Sequence, residues 1–380
     1  MKILHTSDWH LGHTLYNYDR TVEQQAFLRQ LTRIVTEEQP DAMVVSGDIY
    51  HYSSPAAATQ KMYTDAMLNI HQACPEMTIV VTAGNHDSSS KLEIDSNLWQ
   101  HFGLNVVGNI ERTAEEVNLD KHIIEINNEK KTKGYVIAVP HVYPQNFPLL
   151  DTETPRDQRQ ARFFQALLDE VKKRNTAQLP VVLMAHLSIE GSDRSGHDES
   201  IGGIEYVPLS AMGEGYDYLA LGHIHCPQDI KGSHHHARYC GTPLPVSFDE
   251  TYPHSVSIIE LEKGAEPQIS TREIENPIPL VTLPHDPTPF EDALKLLEEY
   301  PEEKPAYLRL NVLTKGYLPP DCNEKASNAA KGKACKYCYI KTTRERQADT
   351  DESKPISIQE MQEMSPLEIA RLYYLSLIHI

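Results

Sequence analysis

Side chains that can bind metal ions stand at the ends of five short apolar runs. In chain order they are Asp8 and His10, Asp48, Asn85 with His86, His186, and His223 with His225. Carboxylate, amide and imidazole groups suit manganese, iron or zinc, and no thiolate stands among them. Two cations roughly 4 Å apart can share a bridging carboxylate and activate water for attack on phosphorus. The pattern therefore predicts a two-metal hydrolytic site.

The elements that must position these residues can also be predicted. The apolar runs are of strand length and bounded by Gly or Pro, and they cover Lys2–Thr6, Ala42–Val45, Met77–Thr82, Val181–Ala185 and Tyr218–Leu221. A helical pattern closed by Pro40 lies between the first two runs, and a second helix is predicted for Ala57–His71. Strands that alternate with helices indicate an α/β layered domain, in which ligands bind beyond the carboxyl ends of the strands.

The rest of the chain suggests a second sheet and a second domain. Strands are predicted at Arg238–Cys240 and Ser255–Leu261, which suggests a second sheet packed on the first. The Pro-rich stretch Pro277–Pro289 breaks the pattern, so we place the domain boundary there, with residues 1–276 before it. Residues 277–346 are predicted to form a small α+β domain, with elements at Glu291–Tyr300 (helix), Tyr307–Leu313 (strand), Lys325–Lys331 (helix) and Tyr337–Lys341 (strand). Residues 347–380 are predicted to be a linker and a helical segment.

No single histidine supports the metal site, because the chain has 19 histidines and most histidines in proteins are core or surface residues. The triplet His234 to His236 is interpreted as an exposed loop. Five pieces that occur in order, each at the end of an apolar run, are a stronger indication, since motif matches gain weight when the structural context agrees. Asp8 and His10, two residues apart just beyond a strand, can point into one site, and so can His223 and His225.

The charge is unevenly distributed. The net charge of −19 argues against a surface coated with basic residues, although bound divalent cations would add positive charge where a phosphate binds. Between Lys325 and Arg346 the sequence has seven basic residues and one acid. Such a run is either a solvated face or a contact with DNA backbone. The candidate DNA-binding residues are Lys331, Lys333, Lys336 and Lys341.

The sequence gives only weak indications of the cellular location and of the role of the cysteines. The start of the sequence lacks the pattern of a signal peptide, and no apolar run approaches the roughly 20 residues of a membrane span, so we predict a cytoplasmic protein. Six cysteines are too few for a disulfide scaffold. Cys335 and Cys338 form a C-x-x-C pair with Cys322 nearby, and we interpret them as buried thiols in preference to a zinc or redox site.

The ordered set D-x-H, G-D, G-N-H-D, H and G-H-x-H resembles the calcineurin-like metallophosphoesterase superfamily. Longer segments narrow the resemblance to the SbcD family of break-repair nucleases, and they cover residues 2–12, 46–51, 222–225 and 238–243. The resemblance extends from residue 1 to about 345, and residues 277–346 are similar to the family's DNA-capping domain. It implies an αββα domain, with two packed mixed sheets flanked by helices, followed by the small α+β capping domain.

The resemblance also implies the roles of the site residues. One metal ion would be held by Asp8, His10, Asp48 and His225, and the other by Asp48, Asn85, His186 and His223, so that Asp48 bridges. His86 would face the scissile phosphate as a charge stabiliser and possible proton donor. His51 matches a second catalytic histidine of the family, although some bacterial members carry another residue there. Asp87 is expected to fix the turn that presents Asn85 and His86.

The implied activity is metal-dependent hydrolysis of DNA, as a double-strand exonuclease and single-strand endonuclease in recombination, replication and repair. Manganese is the expected metal, and the expected partner is an SbcC-type ATPase in a heterotetramer with a nuclease dimer. The sequence has no phosphate-binding loop of its own. Two alternatives remain: an esterase for small phosphoesters, or a metal-free scaffold on the same fold. The basic cluster and His51 favour DNA, and the complete set of seven ligands argues against the scaffold.

We interpret the C-terminal segment as an incomplete docking site for the ATPase. Capping-box spacing at residues 357–360 and 365–368 predicts two short helices. Ile369, Leu372 and Tyr373 would give the second helix an apolar stripe, which can bind a groove on a partner or fold back on its own domain. Residues 375–380 depart from the family pattern and match a translated sequencing adapter. We therefore expect the natural chain to continue differently after about Tyr374.

Overall fold

The computed structural model describes residues 1–344 except 113–116, 129–130, 152, 196–205 and 235. The predicted linker and docking helices lie outside the described residues. The strands are β1 Lys2–Thr6, β2 Thr14–Leu15, β3 Tyr18–Asp19, β4 Ala42–Ser46, β5 Thr78–Thr82, β6 Leu104–Val107, β7 Ile123–Asn128, β8 Lys131–Ala138, β9 Val181–His186, β10 Ser188–Ile189, β11 Tyr206–Val207, β12 Tyr218–Gly222, β13 Gln228–Asp229, β14 Ala237–Tyr239, β15 Ser255–Glu260, β16 Gln268–Glu273, β17 Leu280–Thr288, β18 Tyr307–Thr314 and β19 Lys336–Arg344. The α-helices are α1 Thr21–Glu38, α2 Ala57–Ala73, α3 Ser89–Leu92, α4 Ser96–Trp99, α5 Arg159–Arg174, α6 Phe290–Glu298 and α7 Cys322–Ala330.

Two mixed six-stranded sheets form the centre of the part of the chain that is described. The first has the strand order β16-β15-β1-β4-β5-β6, in which β1, β4, β5 and β6 are parallel and β15 pairs antiparallel with both β1 and β16. The second has the order β13-β14-β12-β9-β8-β7, with β14, β12, β9 and β8 parallel. The carboxyl ends of the parallel strands therefore lie at one edge of each sheet.

The two sheets pack face to face between layers of helices. Residues such as Val44 and Val80 of the first sheet and Val182 of the second form the core between the sheets. Alternate residues of the first sheet pack on α1 and α2, and those of the second sheet pack on α5. Strands buried on both faces read as continuous apolar runs, which is why the sequence revealed them so clearly. The predicted αββα architecture is confirmed.

Residues 280–344, here called the second domain, contain the separate parallel sheet β17-β18-β19 with α6 and α7 packed on it. Its four predicted elements are present with shifted ends. The interpretation of Pro277–Pro289 as a break in the pattern was wrong, because residues 280–288 of it form β17. Among the described strands β17 pairs with β18 alone, and an edge strand tolerates proline because its missing N–H is not needed for a further ladder.

Other elements escaped the sequence analysis. The hairpin β7–β8, strands β6 and β16, and helix α5 were not predicted. Helix α5 carries an apolar stripe at Phe163, Phe164, Leu167, Leu168 and Val171 that would have sufficed to predict it. Among the described residues, no helix is long and apolar enough to cross a bilayer.

The two sheets approach each other closely at the carboxyl ends of β4 and β12. A Cβ atom on Gly222 would overlap the backbone oxygen of Ser46, and Ser46 Oγ donates to the backbone oxygen of Ala220 at 3.0 Å. A Cβ atom on Gly84, after β5, would overlap the carboxylate and backbone nitrogen of Asp48. The glycines that precede the site residues therefore allow strand ends from both sheets to meet.

We predict that Gly222→Ala separates the ends of β12 and β4. Overpacking of this kind costs about 1–3 kcal/mol, so the free energy of unfolding should fall by that amount in denaturant titration. Gly316→Ala is the matched control, because a Cβ atom there would meet nothing within 4 Å. Equal stability of the two variants would contradict the proposed close approach of the sheets.

Candidate metal centre

The predicted ligands lie beyond strand ends of both sheets, on backbone that turns sharply. Asp8 follows β1, Asp48 follows β4, and His223 follows β12. Their φ angles are 53°, 52° and 99°, and that of His10 is 44°. Positive φ is uncommon for residues other than glycine and is concentrated at functional sites. The turns direct these side chains towards one another and away from the sheet faces.

Two groups of buried side chains could each hold a metal ion. The first contains Asp8, His10 and His225, and the second contains Asp8, Asp48 and His186; within each group the ligand atoms lie within 4.8 Å of one another. His10 Nε2 is 3.3 Å from His225 Nε2 and 3.8 Å from Asp48 Oδ2. Asp48 Oδ2 is also 3.4 Å from His186 Nε2. Asp8 therefore belongs to both groups, and the Asp48 carboxylate of the second group also lies beside His10 of the first.

The two remaining predicted ligands, Asn85 and His223, lie beside the second group, and Asn85 contacts both His186 and His223. The Asn85 Oδ1 atom lies 2.9 Å from His186 Nε2 and 3.0 Å from His223 Nδ1. The structure thus brings together all seven side chains predicted to bind metal. Two ring nitrogens that face each other at 3.3 Å beside two carboxylates form a donor set that suits a divalent cation. The residues fit the metal ions that the resemblance implies.

Two of the histidines are oriented by acceptors behind them. His225 Nδ1 donates to Glu250 Oε1 at 2.9 Å, and His186 Nδ1 donates to the backbone oxygen of Ser46 at 2.8 Å. Metal-binding histidines commonly donate their second N–H in this way, which fixes the tautomer and leaves the other nitrogen free for the metal. Glu250 was not predicted, since nothing in its sequence neighbourhood indicates a carboxylate buried behind a histidine.

The buried charges require positive charge in the site. Burial raises the pKa of Asp8. Burial acts in the same direction on Asp48, but His186 and His10 outweigh it and hold the pKa of Asp48 well below its usual value. Although burial opposes it, the charge of Asp48 raises the pKa of His186 to about 9. A proton on His186, or a cation, supplies the charge that the carboxylates need.

His86 lies beside the ligand groups with one ring nitrogen occupied. Its backbone N–H donates to Asp48 Oδ1 and its Nδ1 donates to the backbone oxygen of His51, both at 2.9 Å. Nε2 is the other ring nitrogen of His86, and this bond does not occupy it. His51 stacks on His86 with ring centroids 5.2 Å apart, and its Nδ1 is 3.3 Å from His10 Nδ1. His10, His51 and His86 also form a group with ligand atoms within 4.8 Å of one another, which places His86 within reach of a metal ion as well.

Asp87 has the structural role that the sequence predicted. Its carboxylate accepts backbone N–H groups of Ile49, Tyr50 and Gly84 at 3.1, 2.9 and 2.9 Å. These bonds join the loops after β4 and β5, and they hold the turn that carries His86.

Two further histidines border the site. His141, after β8, donates from Nδ1 to the backbone oxygen of His186 at 3.1 Å, and its ring lies 6.5 Å from that of His223 in a stacked arrangement. The ring of His13 lies 4.5 Å from that of His51. The sequence analysis missed His141 because it missed β8. His13 stands in a loop with no signal of its own.

Three of the four candidate DNA-binding lysines have partners within the protein. Lys333 Nζ donates to the backbone oxygens of Leu297, Glu298 and Tyr300 at the end of α6. Lys336 lies over the rings of Tyr18 and Tyr307, and Lys341 forms an ion pair with Asp249. Lys331 is exposed. Cys322, Cys335 and Cys338 are free thiols, of which the first two are buried.

Comparison with known proteins gives matches over both parts of the chain. The model of the calcineurin-like phosphoesterase family matches residues 1–227, and that of the type 5 capsule protein repressor C-terminal domain matches residues 276–376. Three similar proteins are each named as the D subunit of the nuclease SbcCD. That of Rhodobacter capsulatus is 33% identical over 78% of this chain and 75% of its own length. That of Bacillus subtilis is 31% identical over 70% and 68%, and that of Escherichia coli K12 is 26% identical over 98% and 92%.

We predict that Asp48→Asn weakens metal binding at both groups, because Asp48 belongs to the second group, lies beside His10 of the first, and is the expected bridging ligand. The Kd for Mn²⁺ should rise by more than the roughly 10–100-fold that is typical of changes behind the ligands. Isothermal titration calorimetry measures the change. Asp65→Asn, which removes an exposed carboxylate paired with Lys61, should bind Mn²⁺ as the unaltered protein does. Retention of two metal ions with unchanged affinity would refute the bridging role of Asp48.

Proposed function

Since the chain belongs to the calcineurin-like phosphoesterase family and, within it, to the SbcD family of nuclease subunits, we propose that it hydrolyses DNA phosphodiester bonds together with an SbcC-type ATPase. The observation that carries the proposal is the pair of buried ligand groups that share Asp8, with Asp48 in the second group and beside His10 of the first, and with His86 held next to them by its Nδ1 bond to His51. Cleavage as a double-strand exonuclease and a single-strand endonuclease is part of the same proposal.

We propose that the protein binds two metal ions and that both are manganese. The first would be held by Asp8, His10, Asp48 and His225, and the second by Asp48, Asn85, His186 and His223. Oxygen and imidazole donors without thiolate favour such a metal. When bound, the cations would neutralise the charge of the phosphodiester and lower the pKa of an attacking water.

The protein's own contribution centres on His86. Its bond to the backbone oxygen of His51 fixes the ring so that Nε2, when protonated, can donate to the phosphoryl group or the leaving oxygen. The hydrogen bond from its backbone N–H to Asp48 Oδ1 holds His86 beside the candidate ligands. We propose that His51, stacked on this ring, is the second catalytic histidine. No covalent intermediate with the protein is required.

The partners follow from the same family membership. We propose that the protein works in the cytoplasm on DNA, as a dimer within a heterotetramer with the ATPase. We also propose that residues 1–276 form the nuclease domain, residues 277–346 the capping domain, and residues 347–380 the linker and docking segment. The capping domain contacts the nuclease domain beside the site, through a cluster that includes Leu15, Phe248 and Tyr307.

The test of the function is cleavage of single- and double-stranded DNA with Mn²⁺, with and without the ATPase, against a small model phosphodiester. We predict DNA cleavage with Mn²⁺ alone. His86→Gln should retain both metal ions and lose roughly 100-fold or more in rate, since it removes the proton donor and charge stabiliser. A parallel loss of metal would instead make His86 a ligand. Hydrolysis of the model ester without DNA cleavage would favour an esterase for small phosphoesters.

DNA contact by the second domain is best tested at Lys331, because the other lysines have partners in the fold. Lys331→Gln should weaken binding to all sequences and reduce the log–log salt slope by about 0.9 for the lost phosphate contact. Fluorescence anisotropy at several salt concentrations measures this slope. Lys295→Gln, an exposed lysine of the same domain paired with Glu299, is the control. An unchanged slope would make the basic run a solvated face.

A further inference from the structure

One loop contacts both the candidate metal centre and the second domain. Residues 245–250, here called the clamp loop, lie between β14 and β15. At the end of the loop, Glu250 accepts a hydrogen bond from His225 Nδ1 at 2.9 Å. Glu250 is 6% exposed, so the orientation of its carboxylate is set by protein contacts. The loop therefore determines how His225 is presented.

The shape of the clamp loop controls the Glu250 carboxylate. Glu250 Oε2 accepts the hydroxyl of Thr242 at 3.0 Å and the backbone N–H of Val246, within the loop, at 3.3 Å. A shift of the loop backbone would move or break the second of these bonds. Because a buried carboxylate needs its donors, such a shift would be transmitted to the bond with His225.

The second domain holds the same loop through Arg309 on β18. Arg309 donates from Nη1 to Asp249 Oδ1 at 2.8 Å and from Nη2 to the backbone oxygen of Phe248 at 3.3 Å. Its guanidinium also lies over the Phe248 ring, 5.2 Å from the centroid. These contacts are made with the two residues directly before Glu250. Arg309 is 5% exposed, so its guanidinium is shielded from solvent, whereas the Asp249 side chain is 56% exposed.

Arg309 is in turn fixed to the sheet of its own domain. It donates from Nε to Thr282 Oγ1 on β17 at 3.1 Å and from Nη1 to Tyr339 Oη on β19 at 3.0 Å. The position of the guanidinium thus follows the position of all three strands. A rigid-body movement of the second domain would move the clamp loop with it.

We propose that Arg309 and Asp249 are positioning residues, through which the placement of the second domain sets the affinity of the metal ion that His225 binds. The chain of contacts runs from the β17-β18-β19 sheet to Arg309, then through the clamp loop to Glu250 and His225. The proposal rests on the proposed function, in that His225 is a metal ligand. Coupling is reciprocal, so metal binding also favours the seated position of the second domain, and a ligand that moves that domain lowers metal affinity.

The experiment measures Mn²⁺ binding by the full chain with isothermal titration calorimetry, for Glu250→Gln, Asp249→Asn and Arg309→Gln. Glu250→Gln should raise the Kd of one of the two sites by about 10–100-fold. Asp249→Asn and Arg309→Gln should each raise the Kd of that same site by about 5-fold or more. The double variant Asp249→Asn/Arg309→Gln should raise the Kd by the larger of the two single effects and no more, because both changes break one chain of contacts. Asp65→Asn is the control.

A second readout separates positioning from folding. In Asp249→Asn and Arg309→Gln, the Mn²⁺ concentration for half-maximal DNA cleavage should rise. The rate at saturating Mn²⁺ should stay within about 2-fold of the rate of the unaltered protein. A purely structural role would lower the metal-free melting temperature and leave the Kd unchanged, which would overturn the proposal. So would a Kd that changes in Glu250→Gln but not in the Asp249 and Arg309 variants. Failure of the unaltered chain to bind two metal ions would instead refute the proposed function.

Discussion

The burial of two carboxylates at one point is the constraint on which the rest of the structure depends. Asp8 and Asp48 are 1% and 2% exposed, and both contribute to groups of potential ligands. Buried negative charge is costly unless it is paired or binds a cation. Histidines surround these carboxylates. The Nδ1 atoms of His225 and His186 donate to Glu250 and to the backbone oxygen of Ser46, so that their Nε2 atoms are the ones directed towards the site. The site is therefore organised to receive positive charge, which is also what a phosphodiester requires for hydrolysis.

The layered architecture makes this arrangement possible. Parallel strands from two sheets end at the same place, so loops far apart in sequence contribute side chains to one volume. Glycine at positions 84 and 222 lets the strand ends approach each other, and backbone with positive φ turns Asp8, His10, Asp48 and His223 inward. Strain of this kind is tolerated because the surrounding sheets are rigid and fully packed.

The second domain is part of this arrangement, since it is packed against the same loops. Arg309 reaches across to Asp249 and Phe248, and Tyr18 donates from its hydroxyl to the backbone oxygen of Tyr337. Basic residues of the second domain make contacts within the protein, in addition to placing positive charge on the domain surface. Lys333 binds the carbonyl end of α6, and Lys336 lies against two tyrosine rings. A run of lysines in a sequence thus does not translate directly into a DNA-binding surface.

The sequence alone determined the strands that carry the site, because strands buried on both faces read as apolar runs and their ends carry unusual polar residues. It also predicted seven candidate ligands, through five motifs in a fixed order and the family that they resemble, and the structure brings these side chains together. Only the tertiary structure decided what stands behind the ligands. Glu250 and Arg309 make contacts between distant segments, and no local pattern marks a residue whose partner lies on another sheet or domain. The strand β17 was hidden for a related reason. Its prolines are excluded from a central strand but accepted at an edge, and the order of strands in a sheet is fixed by packing rather than by local sequence.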